Sequence, residues 1–116
     1  MPNPVTRWQI VAPDPGRVAA FYENLFGWTV RTDNALGYRQ VETGDGGMPG
    51  GIWPLPSGSP AMVQLFVEVD DISGAVARAT SLGAVVVVPV STLPDGDTMA
   101  ILADPAGLTF GLHQRP

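Results

Sequence analysis

The sequence predicts an α+β fold in which one plan, a strand, a helix and three further strands, occurs twice. Three observations carry that reading. Two segments, RWQIVAPDPGRVAAFYENLFGWTV and QLFVEVDDISGAVARATSLGAVVVV, each pass from alternating residues through an aspartate and an apolar-periodic helix to a glycine and β-branched residues. Three short strand candidates accompany each helix. Between the halves, residues 43–60 hold six glycines and four prolines, too broken for a long element and suited to a flexible connection. Repeats of this length usually mean duplicated supersecondary units.

In the first helix Asp14 is the N-cap and Pro15 the first helical residue, and Val18, Phe21, Tyr22 and Leu25 form the apolar stripe. Phe21 and Leu25 are therefore expected under the first sheet, and Gly27 ends the helix. In the second, Asp71 or Ser73 caps, Ile72, Ala75, Val76, Ala79 and Leu82 face inward, and Gly83 takes the left-handed position. The strands that complete each plan are WTVRT, GYRQVET and GGIW, then AVVVVPV, TMAILA and GLTFGLHQ. The expectation is one domain over residues 1–116, built of two βαβββ modules near residues 5–54 and 61–114.

Composition removes several classes of chemistry. With no cysteine, disulfides, thiolate ligands and cysteine nucleophiles are absent. All six basic residues are arginines, so Schiff-base chemistry and a phosphate-loop lysine are excluded as well. A net charge of -5 with scattered arginines disfavours a nucleic-acid partner. No apolar run is long enough to span a membrane and the first residues read as no targeting signal, so a cytoplasmic protein is expected.

Alternation gives each strand two faces. In MVQLFVEV the aliphatic Val63, Leu65, Val67 and Val69 belong under a helix, and Met62, Gln64, Phe66 and Glu68 lie opposite. Trp8 and Ile10 take the helix side of the first strand, with Arg7, Gln9 and Val11 opposite. In the last strand Phe110 and Leu112 face the helix, while Thr109, Gly111 and His113, the single histidine, take the mixed side. A face mixing aromatic, amide and charged groups suits the lining of a cavity.

APDPGRVAAFYENLFGW, VEVDDISGAVARATSLGAVVVV and LADPAGLTFGL together resemble the vicinal oxygen chelate superfamily of glyoxalases, bleomycin-resistance proteins and extradiol dioxygenases, over nearly the whole chain. The resemblance implies paired βαβββ modules with curved mixed sheets enclosing a cavity, often completed in a homodimer. It also implies four metal-ligand positions, which fall on Arg7, roughly Trp53, Gln64 and Gly111. A cation, an indole, a neutral amide and a position without a side chain do not make a donor set for a divalent ion, so no metal and no cofactor is expected. An improvised metal site would need His113 with Glu68 or Glu42.

The first functional expectation is a metal-independent small-molecule-binding protein of the bleomycin-resistance type. It would hold an aromatic or planar ligand between the modules, with Arg7, Gln9, Trp53, Gln64, Phe66 and Met62 as ligand-binding residues. The alternative is a metal-independent lyase, isomerase or cyclase in which Glu68 or His113 moves a proton. A glyoxalase-like or dioxygenase-like enzyme returns if a metal is found, and Trp53 and Phe66 can instead pack at a dimer interface.

Overall fold

A computed structural model describes residues 2–34, 36–55, 58, 60–93 and 96–116. In chain order its elements are β1 (Val5–Ala12), α1 (Pro15–Phe26), β2 (Thr29–Arg31), β3 (Arg39–Glu42), β4 (Gly50–Pro54), β5 (Met62–Glu68), α2 (Ile72–Ser81), β6 (Val85–Thr92), β7 (Thr98–Ala103) and β8 (Thr109–Gln114). The fold is α+β, and strand–helix–strand–strand–strand occurs twice, as the repeat predicts. No helix among the described residues is long and apolar enough to cross a membrane.

The helix boundaries follow from local chemistry. Asp14 accepts from the Arg17 backbone N–H at 3.3 Å, Pro15 fills a position whose N–H would have no partner, and Gly27 ends α1 at φ 72°. Asp71 caps α2 by accepting from the Gly74 N–H at 3.1 Å. Gly83 follows at φ 103°, where any side chain would be strained.

The chain forms two compact units, Arg7–Gln64 and Met1–Thr6 with Leu65–Pro116. In the first, the strand order is β2-β3-β4-β1, with β1 parallel to β4 and the other pairs antiparallel. Its core is Ala19, Val41 and Ile52, joined by Trp8, Ile10, Val18, Trp28 and Val30. In the second, the order β5-β8-β7-β6 repeats that arrangement, again with a single parallel pair, β5 with β8. Val69, Ile72, Ala100, Leu102 and Leu112 form its core, and Val67, Ala75, Val76, Ala79 and Phe110 pack around them.

Two expectations about the core are corrected. Phe21 and Leu25 are each 58% exposed, and Ala19 is the buried residue of α1. A small side chain lets the helix approach its sheet closely, so the buried stripe is centred on Ala19 and the larger residues turn outward. The aliphatic side of β5 is covered only at its end: Val67 and Val69 reach the α2 core, whereas Val63 and Leu65 are 59% and 53% exposed. Leu82 is exposed too, and so is every residue of β6, the terminal strand of its unit's order.

Candidate functional site

The mixed face of the Arg7–Gln64 unit is organised by Tyr38, a residue to which the sequence reading assigned no role. Asn34 holds its backbone from both sides: Oδ1 accepts from the Tyr38 N–H at 2.9 Å and Nδ2 donates to the Tyr38 carbonyl at 2.7 Å. The aromatic ring then lies across Gly51, where a Cβ would overlap the phenol. Trp53, two residues along β4 and so on the same face, stands with its ring 5.5 Å from that of Tyr38. The glycine is what lets an aromatic side chain lie flat on this sheet.

From Tyr38 a directed hydrogen-bond chain runs inward. Its hydroxyl donates to Gln9 Oε1 at 2.8 Å, and Gln9 Nε2 donates to Gln64 Oε1 at 2.9 Å. Gln9 and Gln64 are 7% and 6% exposed, so both amides act in a low-dielectric setting where an unmade bond is costly. Burial pushes the Tyr38 phenol up to about 12, against a smaller downward pull from the Arg7 guanidinium. Tyr38 is thus a neutral donor at physiological pH, with a cation in its electrostatic neighbourhood.

Of the expected ligand-binding residues, Arg7, Gln9, Trp53 and Gln64 come together with Tyr38 in this unit. Met62 lies in the same unit and lines a groove against α1. Phe66 belongs to the other unit and packs over its register partner Gly111, where a Cβ would overlap the ring; 4% of its surface remains exposed. That contact accounts for the glycine at 111.

The donor chemistry of the positions implied for a metal is unfavourable. Gln64 Oε1, the one carbonyl oxygen among them, already accepts from Gln9, and Gly111 is covered by Phe66. Among the described residues no three His, Cys, Asp or Glu side chains are grouped to hold a metal ion. Glu42 instead faces Arg31 at 3.4 Å.

His113 and Glu68, the expected acid–base residues, meet in the other unit. His113 is 2% exposed, and its Nε2 lies 2.5 Å from Thr6 Oγ1 and 3.7 Å from Glu68 Oε1. Arg115 Nε donates to the same carboxylate oxygen at 2.8 Å. The group links β8 to the chain's first residues, which are also held by the Glu68 N–H donating to the Pro4 carbonyl at 2.9 Å.

Comparison with known proteins gives these arrangements a context. A profile of the glyoxalase-like domain matches residues 8–113. The Mycobacterium tuberculosis protein CFP32, provisionally named a glyoxylase, is 29% identical over 109 residues, covering 87% of this chain and 41% of its own length. The anthracycline biosynthesis protein DnrV of Streptomyces peucetius is 30% identical over 122 residues, covering 90% and 44%. The chain therefore spans less than half the length of these curated relatives. Among solved structures, methylmalonyl-CoA epimerase from Mycobacterium tuberculosis superimposes with a TM-score of 0.66 at 13% identity, covering 95% of this chain and 86% of that one. The Streptomyces coelicolor epimerase in complex with 2-nitronate-propionyl-CoA gives 0.62 at 17% identity, covering 96% of each. At these identities the likeness is one of fold.

Proposed function

Because the chain belongs to the glyoxalase-like domain family, we propose that it binds a planar or aromatic small molecule without a metal ion, against the face made by Arg7, Gln9, Tyr38, Trp53 and Gln64. The observation that carries the proposal is the Tyr38–Gln9–Gln64 chain beside Trp53. An aromatic wall offers stacking surface, the fixed amides orient polar atoms, and the Arg7 cation favours an electron-rich oxygen on the ligand. A divalent ion would have to share a neutral amide oxygen with Gln9 and tolerate a guanidinium nearby. The relative named for anthracycline biosynthesis fits a planar aromatic ligand. Both modules are taken to form one domain, and the working form is taken to be a homodimer that covers apolar surface such as the β6 valines.

A screen of planar aromatic compounds by intrinsic tryptophan fluorescence tests this reading, with and without EDTA. The expected result is saturable quenching that survives EDTA and is lost in Trp53→Ala. Binding abolished by EDTA and restored by zinc, nickel, manganese or iron would overturn it, and sedimentation at micromolar concentration reads the assembly.

A second reading has its own observation. Buried His113 facing Glu68 and Thr6 is a candidate proton-transfer pair for a metal-independent lyase, isomerase or cyclase. Turnover abolished in His113→Gln while planar-ligand binding persists would favour it.

A further inference from the structure

On the helix side of the Arg7–Gln64 unit, away from the Tyr38 face, α1 leaves a groove of about 420 Å³ against β1 and the start of β5. We propose that this groove is a second ligand site, and that it takes an amphiphilic monocarboxylate with its apolar tail in the groove and its carboxylate on Arg17.

The volume falls within the range of small-molecule sites, about 300 to 1,000 Å³. Its walls are apolar: Ile10 from β1, Val18 and Phe21 from α1, and Val63 from β5. Phe21 at 58% and Val63 at 59% exposure are among the large apolar side chains that the unit's own core leaves uncovered. The groove therefore supplies what a hydrocarbon tail requires, apolar area removable from water at about 25 cal/mol per Å².

The polar side chains of the lining are Arg17 and Tyr22. Among the described residues the Arg17 guanidinium has no hydrogen-bond or ion-pair partner, and Asp14 interacts with its backbone N–H instead. Arg39 brings a second guanidinium to the same turn, its terminal nitrogen 3.3 Å from where a Cβ on Gly16 would stand. The two cations outweigh the single Asp14 carboxylate that already caps the N-terminal end of α1. In a chain of net charge -5 the first turn of α1 is thus a local positive region bordering an apolar trough. Charge selects an anion over an alcohol or an amine, and the trough selects a tail over a bare inorganic anion.

The test uses octanoate, with octanol and octyltrimethylammonium as probes of the same tail and different head. Titrations followed by amide chemical shifts are expected to show one saturable octanoate site mapping to α1 and residues 61–63, weakened roughly tenfold in Arg17→Gln. Octanol should bind more weakly and be indifferent to Arg17→Gln. Val63→Glu should abolish binding with the circular dichroism spectrum retained, and Trp53→Ala should leave octanoate binding intact, which separates this site from the planar-ligand face. Absence of octanoate binding at millimolar concentration, binding indifferent to Arg17→Gln, equal binding of the ammonium probe, or shifts centred on Trp53 would overturn the proposal. So would a dimer dissociated by Phe21→Glu, because a second copy of the chain would then fill the groove.

Discussion

The ring of Tyr38 lies against the bare α-carbon of Gly51, so closely that a methyl group there would overlap the phenol. Phe66 and Gly111 repeat the relationship in the other unit. In both cases a glycine in a strand interior has a packing reason, and the aromatic ring compensates for the side chain the strand lacks.

Gly51→Ala should therefore destabilise the protein by about 1 to 3 kcal/mol, the usual cost of forcing extra volume into a packed site. Urea denaturation measures it. Combining it with Tyr38→Ala should recover part of that loss, since the ring that clashes is gone; an additive double variant would contradict the contact.

The raised Tyr38 phenol gives stability a defined pH dependence. The folded state keeps its proton up to about 12, while the unfolded phenol releases it near 10. Its contribution is complete below pH 10 and is lost as the pH rises through about 12. Absorbance at 295 nm in a Tyr22→Phe background should show one late-titrating tyrosine, and Tyr38→Phe should remove that share of the alkaline decline.

Gln9 and Gln64 should behave as a coupled pair. Gln9→Met or Gln64→Met alone removes one side of a buried amide–amide hydrogen bond and should cost about 1 to 3 kcal/mol. The double variant should cost less than the sum, a non-additivity that a double-mutant cycle reads directly.

Core substitutions should follow the observed burial of α1 and β7. Leu102→Ala, at a site 0% exposed, should cost about 2 to 5 kcal/mol. Leu25→Ala, at a position 58% exposed, should cost well under that. The reverse ranking in chemical denaturation would mean that α1 is rotated from its described position.

Much of this architecture was legible because short-range chemistry determines it. Asp14 with Pro15, Asp71 and Gly27 mark helix ends through backbone hydrogen bonds and dihedral preference, and alternation sorts β1 and β8 correctly into faces. The rotation of α1 was not legible, because Val18, Phe21, Tyr22 and Leu25 satisfy the helical period whether they or Ala19 meet the sheet. Arg7, Gln9, Trp53 and Gln64 were identifiable as one face. Tyr38 was missed because its position depends on Asn34 clamping its backbone and on Gly51 across the sheet. The signals available were the turn-forming Asn34 and Gly37 just before it and its alternation with Gln40.

The directed bond from Gln9 to Gln64 also constrains how this sequence can change. A histidine at 64, whose ring does not place an acceptor where Gln64 Oε1 stands, would strand Gln9 before it gained anything, and a side chain at 111 would have to await a smaller residue at 66. Each first step is disfavoured until its companion change has occurred. Sequences descended from this one should then vary at 9 together with 64, and at 66 together with 111, so that conversion toward a cation-binding protein would proceed by paired replacements, in an order set by packing before chemistry.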